Sequence, residues 1–255
     1  MMKFTIITLT LNSEKTILDN IKSINNQNYK NIEHLCLDSY SNDRTIKILN
    51  ENKAAKRKII RSKIRGIYLN LNKATSMASG EIVGVLHSDD VFYDKSVISK
   101  ISKKFEDKKI NIVYTNIVMV KKNNLKSVVR NWVSNKKPIS HKIKNKNCYK
   151  MLLNNGWMPP HTGFFFRKKL FTKIKYNTKY EVSADYDFMI RLLSNVNGII
   201  YLPIKSTKMR IGGKSTKLSK LFKKSYEDLQ IIKENDLGGY LTLLKKIFSK
   251  FKQFN

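Results

Sequence analysis

Acidic side chains are scarce in this sequence. Only 19 aspartates and glutamates stand against 50 lysines and arginines, and the formal net charge at pH 7 is +31. Such a charge predicts a polyanionic partner, which would be nucleic acid, anionic lipid or a phosphate-bearing substrate; codon bias toward lysine is the alternative explanation. The lysines are spread along the whole chain without a recognisable nucleic-acid motif, so we do not expect specific nucleic-acid binding.

Cysteine and long apolar runs are also scarce, and each shortage excludes a class of protein. There are two cysteines, Cys36 and Cys148. Cys36 falls in a predicted core strand, which argues against a disulfide scaffold and for a reducing, cytoplasmic location. No stretch approaches the roughly 20 apolar residues of a membrane-spanning helix. The apolar stretch near the start is too short for a signal peptide and lacks a small-residue cleavage site.

Strands and helices are predicted to alternate over the first 90 residues. Apolar and β-branched runs at 4–9, 32–37, 59–60 and 82–86 predict strands. A stripe of apolar residues at helical spacing predicts the first helix and consists of Ile17, Leu18, Ile21 and Ile24. Helices are also predicted after the second strand and after the segment 66–74, the latter ending near Gly80. This alternation indicates an α/β fold with a parallel sheet and right-handed crossovers.

The pattern changes after residue 90. A helix is predicted over 95–105, and two strands at 112–120 and 125–133 flank a turn and predict a hairpin. A basic loop is expected over 134–147. The remaining predicted elements are a short helix at 148–154, a strand at 164–166, a helix after 181–187, a strand at 199–202 and a flexible glycine-containing loop at 209–216.

The segment 81–90, EIVGVLHSDD, is the most informative part of the chain. It predicts a buried strand that ends in a polar tip carrying two adjacent carboxylates, Asp89 and Asp90. Ligands of open α/β sheets bind at the carboxyl ends of strands, and paired carboxylates there can hold a hard divalent cation that in turn holds a diphosphate. The alternative is an acidic loop that caps the next helix.

Five segments, in chain order, resemble motifs of family 2 glycosyltransferases of the kind that build bacterial surface polysaccharides. They are FTIITLTLN at 4–12, DSYSNDRT at 38–45, GIYLNLNKA at 66–74, HSDD at 87–90 and ADYDFMIR at 184–191. The resemblance implies a GT-A fold, with a Rossmann-like, mostly parallel central sheet flanked by helices and a C-terminal amphipathic helix. It divides the chain into a glycosyltransferase domain over 1–216, with nucleotide-binding (1–90) and acceptor-binding (91–216) halves, and a helical extension over 217–255.

The same resemblance implies an inverting, metal-dependent transfer of sugar from a nucleotide-diphosphate donor to a glycan or lipid-linked acceptor. Asp185 matches the general base. Asp89 and Asp90 match the site of Mn²⁺ or Mg²⁺, and which of them ligates directly stays open. His161 is open between metal, phosphate or acceptor contact and a structural role. The expected donor-binding residues are Thr8, Asp38, Asp43, His87, Asp89 and Lys214; for Asp43, orienting its loop or capping a helix is an alternative.

The chain departs from the family motifs at several positions. His87 stands where Asp or Asn is usual, Leu69 replaces an acid, and Ser62 and Ile64 replace the acids common before the third motif. These changes leave a second hypothesis, a catalytically degenerate GT-A domain that binds glycan or partner enzymes.

The C-terminal segment carries apolar residues at helical spacing. They form one predicted helix face and are Tyr240, Leu241, Leu244, Ile247, Phe248 and Phe251. Lysines lie mostly on the other side. Such a basic amphipathic helix predicts either peripheral contact with an anionic membrane, at the inner face of the cell membrane, or a terminal helix packed on the domain.

Overall fold

A computed structural model describes residues 1–52, 56–134, 146–212 and 218–251. The strands within these residues are β1 (Phe4–Thr10), β2 (Ile32–Asp38), β3 (Arg57–Arg61), β4 (Ile82–Val85), β5 (Val91–Phe92), β6 (Ile112–Lys121), β7 (Asn124–Trp132), β8 (Phe164–Arg167) and β9 (Ile199–Arg210). The α-helices are α1 (Ile17–Asn25), α2 (Thr45–Glu51), α3 (Ile67–Met77), α4 (Val97–Phe105), α5 (Lys146–Asn154), α6 (Ala184–Asn195), α7 (Leu218–Glu234) and α8 (Gly239–Phe251).

All of these strands join one sheet in the order β3-β2-β1-β4-β8-β6-β9-β5, with β7 paired to β6. The first four strands of this order are parallel to one another. Strand β8 is antiparallel to both of its neighbours, while β6 and β9 are parallel. The predicted α/β architecture is confirmed, as is the hairpin of β6 and β7. Parallel pairing is concentrated in the amino-terminal half.

Parallel register brings the carboxyl ends of the first strands to one edge of the sheet. Thr10 of β1 pairs with Asp38 of β2, and Asp38 pairs with Arg61 of β3. Strand β4 runs beside β1 in the same direction and pairs Val85 with Ile7. The loops that follow these four strands therefore begin side by side.

The core continues from the sheet into the C-terminal helices. Strand β2 is buried along its whole length, as expected for a strand covered on both faces. Ile231 and Ile232 of α7 are fully buried in the same apolar cluster as Ile7 and Leu35 of the sheet. The predicted domain boundary at residue 216 lies outside the described residues, but α7 packs against the main core.

The helix that was expected to follow the segment 66–74 is instead formed by it, since α3 begins at Ile67. It ends at Met77, so Gly80 is not its cap. Gly80 serves packing: a Cβ there would lie 2.5 Å from the backbone nitrogen of Thr5. Glycine is therefore required at position 80 because β1 passes so close to it, and the periodicity of the sequence does not indicate this contact.

Strand β9 was predicted to end at residue 202, with a loop from 209, and this prediction is wrong. Its pairing with β6 shifts register between Leu202 and Lys205 and then continues to Arg210. Pro203 lies in the shift, where a bulge removes the need for its missing N–H. The short strand β5 was also missed, because two residues carry no periodicity.

A neutral histidine lies beneath the carboxyl edge. Arg57 Nε donates to His34 Nδ1 at 3.0 Å, so His34 Nε2 carries the ring proton and lies 3.0 Å from Thr8 Oγ1. The Thr8 hydroxyl donates to the carbonyl of Leu86 at 2.9 Å. Burial, followed by the charge of Arg57, lowers the pKa of His34 to about 3. The ring is therefore uncharged at neutral pH.

We predict that the free energy of unfolding falls as the pH drops below about 6.5, the pKa of histidine in an unfolded chain. The folded pKa of His34 is about 3. The unfolded chain therefore binds more protons between these values, and stability decreases as the pH falls. Between pH 7 and 5 this residue alone should cost up to about 2 kcal/mol. Urea unfolding of the wild type and His34→Gln measures it; equal losses in both proteins would contradict the assignment.

Candidate functional site

The HSDD turn after β4 is fixed by side chains of the first βα unit. Asn20 of α1 is fully buried, and its Nδ2 donates to the backbone carbonyls of His87 at 2.8 Å and Asp90 at 3.0 Å. Ser13 Oγ donates to Ser88 Oγ at 3.0 Å. The acidic tip is therefore held in one conformation at the edge where the strands end. It does not cap the next helix, because β5 intervenes and the N-cap of α4 is Ser96.

Asp90 has a buried carboxylate, and one of its two oxygens has no hydrogen-bond partner among the described residues. The residue is 1% exposed, and its Oδ1 accepts the backbone N–H of Arg210 at 3.3 Å. Its Oδ2 is buried and has no hydrogen-bond partner in the part of the chain that the structure describes. Burial, with the neighbouring charge of Asp89, raises the pKa of Asp90 well above its usual value. A buried, unpartnered carboxylate oxygen beside a second carboxylate is unfavourable by itself and fits a bound divalent cation.

No group of three or more metal-ligating side chains occurs among the described residues. Asp89 and Asp90 would therefore supply part of a coordination shell, the remainder coming from a ligand and water. This is how Mg²⁺ sites that bind phosphates are usually completed. His161, which the sequence left open as a further ligand, has its ring 5.9 Å from that of His87, measured between centroids.

Arg210 was not identified from the sequence, yet it joins the end of β9 to the acidic tip. Its side chain donates to the carbonyl of Asp89 at 2.6 Å and to the carboxylate of Asp19 at 2.5 Å. Both bonds are charge-assisted and short, so they hold the tip firmly. Because residue 210 was expected in a flexible loop, only the strand assignment reveals this role.

Asp38, expected to contact the nucleotide, is fully buried at the end of β2. Its carboxylate accepts hydrogen bonds from Thr10 Oγ1 at 2.9 Å and from the backbone N–H and hydroxyl of Ser41 at 2.9 and 2.5 Å. These bonds organise the loop after β2. The exposed groups beside it are Tyr40, which has a φ of +57°, and Arg61, whose guanidinium lies 4.3 Å from the centre of the Tyr40 ring.

Two other expected donor-binding residues also have structural contacts. Asp43 accepts the backbone N–H of Thr45, the first residue of α2, at 2.9 Å and that of Glu14 at 3.0 Å. Thr8 is fully buried, with its hydroxyl bonded to Leu86. These contacts hold the loop after β2 against Glu14 and β1 against Leu86; a donor-binding role for Thr8 and Asp43 stays a prediction. Lys214 lies outside the described residues.

Asp185 lies in the first turn of α6 beside three aromatic or imidazole groups. Its Oδ1 lies 3.1 Å from the hydroxyl of Tyr68 and accepts the backbone N–H of Tyr186 at 2.9 Å. The Tyr176 hydroxyl lies 2.9 Å from Nε2 of His161. The ring contact of His161 with His87 links this cluster to the acidic tip. The two carboxylate motifs, about 100 residues apart in sequence, thus belong to one site.

The electrostatics keep Asp185 ionised. Burial acts to raise its pKa, but the charge of Lys224 and a hydrogen bond from Tyr68 act in the opposite direction, and the pKa lies below the usual value. Burial lowers the pKa of His161 to about 4. At neutral pH the imidazole is therefore uncharged, and Lys224 of α7 is the cation that stabilises the Asp185 carboxylate.

Asp187, two residues after Asp185, forms an ion pair within its own helix. Its Oδ2 accepts from Arg191 Nε at 2.8 Å, one helical turn further along α6. This pair leaves Asp185 as the acid of the motif that faces the cluster. Tyr68, Tyr176 and Lys224 were not singled out from the sequence, because nothing in their local pattern connects them with residue 185.

The chain is similar to known glycosyltransferases in sequence and in fold. The sequence profile of Glycosyl transferase family 2 matches residues 5–175. An uncharacterised glycosyltransferase of Methanocaldococcus jannaschii is 25% identical over 234 residues, which is 90% of this chain and 74% of that protein. The Escherichia coli UDP-Glc:alpha-D-GlcNAc-diphosphoundecaprenol beta-1,3-glucosyltransferase WfgD is 30% identical over 144 residues, 56% of this chain and 55% of that protein.

Solved structures share the fold. Staphylococcus aureus TarS 1–349 in complex with UDP-GlcNAc superposes with a TM-score of 0.71 and 18% identity, covering 99% of this chain and 72% of that one. The mannosyltransferase PcManGT of Pyrobaculum calidifontis, in complex with GDP-Man and Mn²⁺, has a TM-score of 0.66 and 16% identity, covering 97% and 69%. The family profile spans most of the chain, and the chain therefore belongs to glycosyl transferase family 2, with the GT-A fold.

Proposed function

We propose that this protein is an inverting glycosyltransferase that moves one sugar from a nucleoside-diphosphate donor to a hydroxyl of a lipid-linked glycan, in surface-polysaccharide synthesis. The observation that carries the proposal is the proximity of the acidic tip, with its half-buried Asp89 and buried Asp90, to a separate ionised carboxylate, Asp185. Relatives support the substrate classes: WfgD is named for UDP-Glc and a diphosphoundecaprenol acceptor, and the TarS structure contains UDP-GlcNAc.

The acidic tip is the proposed donor end. Asp89 and Asp90 would hold Mn²⁺ or Mg²⁺. The buried Oδ2 of Asp90, which has no hydrogen-bond partner among the described residues, supports this assignment. When bound, the cation supplies positive charge that offsets the charge developing on the leaving diphosphate. Tyr40, in the loop after β2, and Arg61, at the end of β3, offer an exposed aromatic and cationic surface for a nucleoside. Lys214 remains a predicted donor contact.

Asp185 is the proposed base at the acceptor end. The acceptor oxygen attacks the anomeric carbon on the face opposite the diphosphate, the bond from carbon to the diphosphate oxygen breaks, and the hydroxyl proton passes to Asp185. The hydrogen bonds that described residues make to this carboxylate use Oδ1, so we assign the proton to Oδ2. The lowered pKa of Asp185 keeps it unprotonated and ready to accept at neutral pH.

Helices α7 and α8 carry the proposed membrane contact. Helix α8 packs inward through the buried Thr242 and Lys246 and the partly buried Leu243, while Leu241, Leu244 and Phe248 are 60%, 51% and 62% exposed. Thr242 Oγ1 donates to the carbonyl of Asn154 at 2.9 Å. The close packing leaves no room for a Cβ at Gly156, which has a φ of +73°.

The predicted apolar face of α8 is therefore turned outward and the lysine at 246 inward. On α7, Phe222 and Tyr226 are also exposed, at 76% and 63%. So large an apolar surface on a chain of charge +31 suits an anionic lipid bilayer, which would also present a lipid-linked acceptor. Within the described residues, no helix has the length and apolarity to cross a bilayer.

Substitutions at the two ends of the site should have different effects. Asp185→Asn removes the base but no donor ligand, so we expect kcat to fall by roughly 10²–10⁴-fold with donor affinity within about twofold. Asp89→Ala and Asp90→Ala should instead weaken nucleotide binding that depends on the metal. Calorimetric titration with UDP, GDP and dTDP, in Mn²⁺ and then in EDTA, measures binding, and a radiolabelled transfer assay measures turnover.

Asp187→Asn is the matched control for the base, because Asp187 pairs with Arg191. Its free energy of unfolding should fall, while its kcat should stay close to that of the wild type. If Asp185→Asn turned over at the wild-type rate, Asp185 could not be the base. Failure of every nucleotide to bind a folded wild-type sample would remove the enzyme proposal and favour a catalytically degenerate domain.

The membrane proposal predicts a loss of vesicle binding when the outward face of α8 is charged. Leu244→Glu with Phe248→Glu should weaken binding to vesicles of 70% phosphatidylcholine and 30% phosphatidylglycerol by at least about tenfold, because each apolar side chain contributes on the order of 1 kcal/mol or more when inserted. Co-sedimentation measures it.

The matched control is Val128→Glu with Val129→Glu on β7, two apolar residues that are 49% and 46% exposed elsewhere on the surface. This variant should bind vesicles like the wild type. Equal binding by the wild type and the α8 variant, both folded by circular dichroism, would overturn the proposal.

A further inference from the structure

Glu227 of α7 is a buried acid that binds backbone rather than a basic side chain. It is 4% exposed. Its Oε1 accepts the N–H of Glu181 at 3.0 Å, and its Oε2 accepts those of Val182 and Ser183, each at 2.9 Å. One carboxylate thus satisfies three consecutive amides. Charge-assisted bonds to backbone N–H groups are among the stronger hydrogen bonds in proteins.

These three amides lead directly into the helix that carries the proposed base. Ser183 is the N-cap of α6 and makes no side-chain capping bond of its own. Asp185 is the second residue of that helix. A carboxylate at a helix N-terminus is favoured by the helix dipole and by unsatisfied N–H groups. Glu227 accepts the N–H of the N-cap and of the two residues before it, so the backbone that leads into α6 depends on where α7 lies.

Helix α7 is itself held by α8 through a buried ion pair. Asp228, next to Glu227, lies 2.7 Å from Lys246 Nζ, and both side chains are less than 10% exposed. The Lys246 ammonium also lies 3.1 Å from the centre of the Tyr186 ring, one residue after the base. Removing one partner of a buried ion pair is costly, so this pair holds α7 and α8 together.

Tyr68 of α3 also holds the segment 181–183. The hydroxyl of Tyr68 lies 2.7 Å from the carbonyl of Val182 and 3.1 Å from Asp185 Oδ1. Val182 is therefore fixed through both its N–H and its carbonyl. This fixes the backbone two and three residues before the base, which leaves the Asp185 side chain little freedom to turn away from the acceptor.

We infer that Glu227 is a positioning residue, which fixes the backbone before α6 and thereby aims Asp185 at the acceptor hydroxyl. The inference rests on the proposed function for the role of Asp185. It extends the site to the C-terminal helices, and no motif in the sequence marks Glu227. Its loss should lower kcat and spare donor binding, because the acidic tip lies on other elements.

The test compares Glu227→Ala and the more conservative Glu227→Gln with Glu51→Gln. Glu51 is the matched control, since it lies on α2 in an exposed pair with Lys47, away from the segment 181–187. Hydrogen exchange followed by mass spectrometry reports the amides of 181–187. Steady-state kinetics report kcat and KM, and calorimetry with nucleotide and Mn²⁺ reports donor binding.

We expect Glu227→Ala to lose at least tenfold of the exchange protection at 181–187 and 10- to 100-fold in kcat, with donor affinity within twofold and Glu227→Gln intermediate. Retained protection, or lost protection with unchanged kcat, would overturn the inference. If Glu227→Ala does not fold, Glu227→Gln is judged by the same criteria. If the wild type transfers no sugar, the proposed function fails, and the exchange measurement alone then decides whether Glu227 holds the segment.

Discussion

Parallel pairing of β1 with both β2 and β4 is the constraint on which the rest of the structure depends. It brings the ends of these strands to one edge, so that the loop after Asp38 and the HSDD turn lie together. The edge is then stabilised from within, since Thr8 bonds to the carbonyl of Leu86 and Asn20 bonds to the HSDD backbone. The buried polar residues Thr8 of β1 and Asn20 of α1 therefore set the geometry of this edge.

The buried carboxylates of this protein differ in how their oxygens are hydrogen-bonded. Asp38 and Glu227 bind protein hydroxyls or amides through both oxygens. Asp90 retains a buried oxygen for which the described residues supply no partner. Burial of an uncompensated carboxylate is costly, so it persists where a ligand or ion compensates it. Under the proposed function Asp90 binds an ion or ligand; the observed contacts of Asp38 organise its loop, and its expected nucleotide contact stays a prediction.

The C-terminal helices connect two parts of the proposed activity. Their inner, polar side holds the backbone before Asp185 through Glu227 and, through Lys224, keeps that acid ionised. Their outer side presents Phe222, Leu244 and Phe248 to the surroundings. An apolar face turned outward needs an inner face that can bond to the protein, and the buried pair of Asp228 with Lys246 provides it. Under the proposed function, the same helices contact a membrane and support the proposed base.

The sequence by itself determined the α/β fold, the family, the hairpin of β6 and β7 and the main acidic motifs, because strand and helix periodicity and the carboxylates after strands are local features. It also placed the apolar residues of α8 on one face. Tertiary structure decided which way that face points, since the answer depends on the bonds of Thr242 and Lys246 to distant residues. It likewise decided the length of β9 beyond Pro203, the burial of Asp38, and the contacts of Tyr68, Lys224 and Glu227 around Asp185. These depend on groups far apart in the chain, whose meeting no local pattern records.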